Sequence, residues 1–267
     1  LTLSMSGMFF YGHDLGGFSG DMPSSELLLR WIQHGIFEPR FTIHSWNKDG
    51  TATMPWSYPE IENAVCDIFS QRKQLLPYLY SSAYNCVSYD EPMNAPLFLY
   101  YEDEDIEEDC ESFLVGRDVL ATCVLDEGIE NITAYLPEGD DWYLGSKYYE
   151  GGQNVSLHIP PTSKMPYFVR SGCVFPTDEG EYGFNSEQKL VFTVYPLKSG
   201  FFQSSFFDDD GESFEYKKGN CVRLFFSVVC EEDKVTVFYK NIAKQKLVPD
   251  IRLVDGDDRK LIVQSRE

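Results

Sequence analysis

Ser6-Gly7-Met8-Phe9-Phe10-Tyr11-Gly12-His13-Asp14-Leu15-Gly16-Gly17-Phe18-Ser19-Gly20 passes from a short apolar run straight into a glycine-rich loop. The run has the length and flanks of a buried strand, so a strand is predicted over 6–11. Beyond the loop, Ser24-Ser25-Glu26 opens a helix in which Leu27, Leu28, Trp31 and Ile32 recur at helical spacing. Pro23 and the serines suit its first turn, and Gly35 and Pro39 end it. Arg40 to His44 reads as a second short strand, followed by a polar loop from Ser45 to Thr53. Glu60 to Ser88 places Val65, Ile68, Phe69, Leu75, Leu76, Leu79 and Tyr80 on one side of a long helix, which Pro77 is expected to kink or divide. Strand, helix, strand, helix with polar loops after the strands is the repeat of a parallel α/β fold. Two such units cannot close a barrel that needs eight, so the segment is a small open layer or the tail of something larger.

From about Pro92 the helical period is lost. Leu97 to Tyr100, Val119 to Leu125, Ile132 to Leu136, Val155 to Ile159 and Tyr167 to Val169 are short runs separated by Gly, Pro, Asn and Asp. That spacing predicts a β-sandwich or barrel. Glu102 to Glu111 reads as a solvated acidic loop. After Cys173 to Pro176, a polar linker from Thr177 to Glu187 leads to a second series: Leu190 to Tyr195, Gly200 to Phe207, Val222 to Val229, Lys234 to Tyr239 and Ile251 to Val254. The fold class is therefore α/β plus all-β, divided as 1–91, 92–177 and 178–267. No sequence period repeats between the two β parts.

Composition limits the function. Hydrophobic residues are 43% and charged residues 24% of 267, ordinary for a chain with a core. Lys+Arg number 22 against 43 Asp+Glu, a net charge of −21. Nucleic acid is a poor partner for such a surface, because binding it depends on cationic groups displacing condensed counterions. An anionic membrane is disfavoured for the same reason, and no apolar run is long enough to span one. A neutral sugar is compatible with this field, although acidic charge also serves plain solubility. Leu1 to Phe10 lacks the basic leader of a secretion signal. The seven cysteines form no two-residue zinc or redox spacing, and their odd number favours a reducing, cytoplasmic setting. Cys66, Cys86 and Cys173 are expected in the core.

Asp14 follows the first predicted strand and His44 ends the second, the end of a parallel sheet that carries chemistry. The glycines allow close approach, Phe18 offers an apolar wall and Trp46 a stacking face, and a neutral imidazole can bond a hydroxyl. The alternative is a tight turn in which Asp14 caps its own backbone and His44 is structural. The loop is not a dinucleotide fingerprint, since G-x-G-x-x-G is absent. Asp208-Asp209-Asp210-Gly211 invites a calcium reading, but its twelfth position is Gly219, so an acidic hairpin turn at Asp210-Gly211 is expected. His34 and His158 are read as structural. No metal site and no cofactor are assigned.

Gly-His-Asp-Leu-Gly-Gly-Phe at 12–18, Leu29-Arg30-Trp31 with Gly35, Pro39 and His44, Pro55-Trp56-Ser57-Tyr58 and Leu75-Leu76-Pro77-Tyr78-Leu79-Tyr80 resemble the last quarter of the catalytic barrel of glycoside hydrolase family 31. Pro92 to Phe98, Leu136-Pro137-Glu138-Gly139 with Trp142-Tyr143, Tyr149-Glu150-Gly151-Gly152 and Pro166 to Gly172 resemble its proximal C-terminal β-domain. Phe207 to Gly211 with Tyr216 and Gly219 resembles the distal one. The resemblance implies the last two βα units of a (β/α)8 barrel followed by two antiparallel β-sandwich domains.

It also implies a retaining α-glycosidase, most similar to α-glucosidases, acting on an α-linked oligosaccharide or glycoside. Such enzymes use two carboxylates about 5–5.5 Å apart, a nucleophile and an acid/base. In the family these lie on earlier barrel strands, so both are expected upstream of Leu1. Asp14, Phe18 and His44 match positions that line the sugar pocket, with Trp46 at its rim. The chain alone is therefore expected to be inactive, its open edge covered by a second copy or by the rest of a barrel. Two departures stand out. The family usually has Arg two residues before the histidine, where this chain has Thr42, and the usual Ala-Pro-Val reads Thr122-Cys123-Val124. A non-catalytic carbohydrate-binding or scaffold protein, and an unrelated α+β interaction module, are the other readings.

Overall fold

The computed structural model describes residues 1–106, 111–181 and 187–266. Its N-terminal part holds a one-turn helix α1 (Thr2–Met5), strand β1 (Ser19–Gly20), helix α2 (Ser25–Gly35), strand β2 (Trp46–Asn47) and, after a 3₁₀ turn at Pro59–Ile61, helix α3 (Glu62–Tyr89). β1 and β2 pair in parallel, Ser19 opposite Trp46 and Gly20 opposite Asn47. A single parallel bridge joins Asp14 to Thr42. The parallel crossover thus forms, but downstream of the two apolar runs. Residues 6–11 are not a strand. Gly7 takes φ +88° directly after α1, and among the described residues no strand lies alongside to complete a backbone ladder. Met8 and Phe10 are consequently half exposed. At 40–44 pairing is confined to Thr42, because the facing chain bends away through Gly16 and Gly17, both at positive φ.

Ser24 caps α2, its hydroxyl accepting the Leu27 N–H at 3.2 Å, with Glu26 in the first turn. Leu28, Leu29 and Ile32 are buried, whereas Leu27 faces out and Trp31 is only half-buried. The face rotates from its expected position because Arg30 and Gln33 point inward. Arg30 donates to the carbonyls of Ile159 (2.8 Å) and Ile129 (2.6 Å), and Gln33 to those of Pro161 (3.1 Å) and Ser163 (2.8 Å). α3 runs unbroken through Pro77 until Asp90, at φ 56°, stops it. Its packing absorbs the roughly 3 kcal/mol that an interior proline costs: Val65, Ile68, Leu75, Tyr78 and Leu79 are all buried. Leu76 and Tyr80 lie on the outer side, the Tyr80 hydroxyl donating to Asp209 at 2.6 Å. Cys66 also faces solvent, while Cys86 and Cys173 are buried; Cys110 lies outside the described residues.

The strands that follow are short: β3 (Asn94–Pro96), β4 (Phe113–Val115), β5 (Val119–Ala121), β6 (Asn131–Leu136), β7 (Trp142–Leu144), β8 (Lys147–Tyr149), β9 (Gln153–His158) and β10 (Tyr167–Arg170). Six of them form a sheet in the order β3-β4-β5-β10-β7-β8, and β6 pairs with β9. Residues 97–100 are not a strand: Leu97–Leu99 is a 3₁₀ turn with Phe98 facing out. The last strands are β11 (Cys173–Asp178), β12 (Leu190–Tyr195), β13 (Gly200–Asp208), β14 (Val222–Cys230), β15 (Lys234–Asn241), β16 (Asp250–Leu253) and β17 (Lys260–Ser265). They form sheets β11-β12-β16 and β13-β14-β15-β17. These are not antiparallel throughout, since β12 with β16 and β15 with β17 are parallel. After β15 the chain crosses from one sheet to the other and back, so both late strands enter beside a neighbour running the same way. Asp208 pairs with Val222, so 209–221 is a long connection and not a tight turn at Asp210-Gly211. Asp210 ties it by accepting the N–H groups of Glu212 and Ser213. The acidic stretch 102–111 and the linker 177–187 lie partly outside the described residues, and β11 extends through Asp178.

Two hydrophobic cores result. The larger joins Leu28, Leu29 and Ile32 of α2 and Val65, Ile68 and Leu75 of α3 to Phe113, Leu120, Trp142 and Phe168 of the six-stranded sheet. The smaller contains Phe192, Val194, Phe206, Leu224, Phe226, Val228, Val235 and Val237. The helical segment and the first sheet are therefore one packing unit.

Candidate functional site

The glycine loop is seated by close backbone approach. A Cβ on Gly12 would lie 2.2 Å from the Arg40 carbonyl oxygen, so only glycine lets these two segments meet. Three residues on, Leu15 donates its N–H to the Thr42 carbonyl at 2.9 Å, and its buried side chain packs against Gly35 of α2. The chain then turns, Gly17 N–H to Asp14 carbonyl at 2.9 Å, and delivers Phe18 to the start of β1. Across from it, Thr53 and Asn47 are buried and mutually hydrogen-bonded, which closes the 47–53 loop and leaves Trp46 facing out.

The predicted site residues lie along this parallel ribbon, from Asp14 at the Thr42 bridge to Trp46 opposite Ser19. The Phe18 and His44 rings lie 5.4 Å apart at 38°. Phe18 is 50% and Trp46 73% exposed, so the group is an open wall and not an enclosed pocket. Trp46 is held beside Phe18 through its backbone, its N–H donating to the Phe18 carbonyl. Asp14 is a part-exposed carboxylate whose Oδ1 accepts from Arg40 Nη2 at 2.6 Å. Arg40 was not among the sequence candidates. An apolar ring, an imidazole and a charge-paired carboxylate on one surface can hold a polar, uncharged ligand with an apolar face.

His13, next to Asp14, meets a different set of groups. Its Nδ1 lies 2.5 Å from Glu38 Oε1 and its backbone N–H donates to Glu38 Oε2 at 2.9 Å. His34 reaches the same Oε1 through Nε2 at 3.0 Å, and its Nδ1 lies 3.0 Å from Cys123 Sγ. Burial opposes charge on His34, but the bonds to Cys123 and Glu38 outweigh it and push the imidazole up to about 10. Burial likewise opposes charge on Glu38, and His34 and His13 hold its carboxyl below the ordinary range. His34 and Glu38 stand four residues apart in sequence, the one local signal that they could meet.

Known proteins match this chain in both parts. Residues 1–82 fit the model of the glycosyl hydrolases family 31 TIM-barrel domain, and 90–175 that of the glycosyl hydrolase family 31 C-terminal domain. A probable glucan 1,3-alpha-glucosidase of Oryza sativa subsp. japonica is 32% identical over 256 residues, covering 92% of this chain and 27% of that protein. Neutral alpha-glucosidase C of Mus musculus is 34% identical over 229 residues, covering 82% and 25%. The chain thus spans about a quarter of the length of these relatives. A Flavobacterium johnsoniae family 31 dextranase, solved with glucose, superposes with a TM-score of 0.78 at 26% identity, over 88% of this chain and 30% of that one. Barrel-type loop, helix pair and strand-rich remainder agree with both family models in order along the sequence, and the chain belongs to glycoside hydrolase family 31.

Proposed function

We propose that this chain is the C-terminal portion of a retaining α-glycosidase, α-glucosidase-like, that hydrolyses O-glycosidic bonds at the non-reducing end of α-linked sugars. In this reading 1–91 supplies the last two βα units of the catalytic barrel, and 92–177 and 178–267 are its proximal and distal β-sandwich domains. The observation that carries it is the Phe18–His44 ring contact, set between the parallel Asp14–Thr42 bridge and the parallel β1–β2 pair. The relatives named above as glucosidases, and the dextranase solved with glucose, support the same class.

Each residue then has a separable task. Phe18 covers the C–H face of a pyranose, His44 bonds a ring hydroxyl, and Trp46 stacks at the rim. Asp14, kept in place by Arg40, accepts hydrogen bonds from sugar hydroxyls. Its partner is a guanidinium and not a second carboxylate, so Asp14 is assigned to binding, with the nucleophile and acid/base supplied from elsewhere in the enzyme. The surplus of acidic over basic residues suits an uncharged substrate.

The test uses the chain 1–267. Titration with isomaltotriose or glucose, followed by ligand-observed NMR, should show weak binding that Phe18→Ala and His44→Ala each reduce. Turnover of an aryl α-glucoside is not expected. Turnover abolished by Asp14→Asn would overturn the binding role, and sugar binding indifferent to both Phe18→Ala and His44→Ala would overturn the site.

A further inference from the structure

His13, His34 and Glu38 each aim one ligand-type atom at a common point, and these atoms all lie within 4.8 Å of one another. Among the described residues this is the one such group of three or more histidine, cysteine or carboxylate side chains. It lies apart from the sugar-facing wall: neither Phe18, His44 nor Trp46 takes part. Two imidazole nitrogens and a carboxylate oxygen with room for a fourth ligand make up one of the recurring donor sets of zinc.

Two further observations point the same way. Metal-binding histidines usually give their second ring N–H to an acceptor, and ligating carboxylates are themselves hydrogen-bonded. Here His34 Nδ1 lies 3.0 Å from Cys123 Sγ, which leaves Nε2 for the cluster. Glu38 is 5% exposed and its second oxygen accepts the His13 backbone N–H at 2.9 Å, which leaves Oε1 for the cluster. The ligands and these outer partners come from α2, the segment after it, the glycine loop and the region following β5, so the arrangement is built by the fold and not by one local turn.

Access is also present. A cavity of about 310 Å³ is lined by Tyr11, His13, His34, Glu38, Phe113 and Cys123. A second, of about 450 Å³, reaches His13 and His34 from the side of Trp31 and Leu125. Tetrahedral zinc with bonds of about 2.0–2.2 Å wants its ligand atoms roughly 3.3 Å apart. Glu38 Oε1 now stands 2.5 Å from His13 Nδ1 and 3.0 Å from His34 Nε2, so a tetrahedral ion needs the closer pair to part by about 0.8 Å.

We propose that His13, His34 and Glu38 form a site for one divalent transition-metal ion of the zinc class, with water as the fourth ligand. The ion takes the place of the two direct histidine–carboxylate contacts. Cys123 acts as a positioning residue through His34. The site does not depend on the glycosidase reading.

The experiment is a titration of chelator-stripped chain 1–267 with Zn²⁺ by calorimetry and with Co²⁺ by visible absorption. A Cys66→Ser background removes the exposed thiol as a competing ligand. One equivalent should bind, with the intense visible bands of low-coordinate Co²⁺ and a rise in Tm on adding metal. His13→Gln changes a side chain that is 43% exposed and should fold, yet weaken binding by about 10-fold or more, with loss of the Tm rise. His34→Gln should do the same. No stoichiometric binding, or binding and Tm response unchanged in His13→Gln, would show that the three residues are only a hydrogen-bonded strut.

Discussion

Gln71→Leu is the sharpest probe of the claim that α3 and the first sheet fold as one body. Gln71 is 7% exposed and makes a reciprocal pair with the chain just before β10. Its Nε2 donates to the Met165 carbonyl at 2.6 Å, and its Oε1 accepts the Met165 N–H at 3.0 Å. Leucine fills nearly the same space but leaves both Met165 groups buried without a partner. Each orphaned backbone group costs about 1–3 kcal/mol, so the substitution should destabilise by about 2–6 kcal/mol. Gln153, whose Nε2 donates to Glu150 on an exposed strand edge, is the control. Gln153→Ala should stay within about 0.5 kcal/mol.

The assay is urea unfolding followed by two signals, helix ellipticity and the near-ultraviolet band of the fully buried Trp142. Because α2, α3 and Trp142 share one core, both signals should move together to lower urea, with an unchanged slope. A Gln71→Leu change below about 0.5 kcal/mol would refute the energetic argument. Helix loss preceding the Trp142 signal would refute the shared core.

Three other outcomes are expected. Asp178 is held below the ordinary carboxylate range despite burial, by the Lys73 ammonium at 2.8 Å and the N–H groups of Gly180 and Lys189. A depressed folded pKa stabilises above the unfolded value of about 3.9 and is lost as pH falls through the folded one. Asp178→Asn should therefore be less stable than wild type at pH 7, with the gap in urea midpoint closing below about pH 4; a gap constant with pH would contradict this. Gly12→Ala places a Cβ 2.2 Å from the Arg40 carbonyl oxygen, so it should cost about 1–3 kcal/mol and move the His44 ring resonances, whereas Gly50→Ala, with open space around it, should leave those resonances in place. Arg40→Ala, at an exposed pair, should change Tm little but weaken sugar binding, and unchanged sugar affinity would deny Arg40 any part in placing Asp14.

What the sequence discloses follows the range of the interactions involved. α2 and α3 are legible because their signals are local: Pro23 and Ser24 mark a start, and apolar residues repeat over many turns. β12 to β15 are legible for the same reason, as runs of alternating or continuous apolar residues six to nine long. Residues 6–11 have equally apolar content, but a strand exists only where a neighbour completes its ladder, and that neighbour is not a property of the run. Arg30, Gln33 and Gln71 look like solvent-facing residues in a helical pattern. Each instead satisfies carbonyls more than 90 residues away, where no periodicity could point. The His13, His34 and Glu38 cluster is obscured in the same manner, since His13 joins the other two only through the fold.

The departure at Thr42 stands two positions from a cation that the structure does bring to Asp14. The family resemblance implies an arginine two residues before the histidine, and its replacement by Thr42 bears on sugar specificity. The structure brings a guanidinium to Asp14 nonetheless, from Arg40 at 2.6 Å. Positions 40 and 42 are two apart on an extended segment, so their side chains leave the same face, displaced by roughly 6.6 Å along the chain. An arginine side chain is long enough to cover that displacement. A threonine at 42 then keeps the approach between Asp14 and Thr42 close, its carbonyl accepting the Leu15 N–H, while the charge arrives from one pleat away. The same guanidinium ties Asp14 to the start of the glycine loop, its Nη1 donating to the Gly12 carbonyl at 3.4 Å.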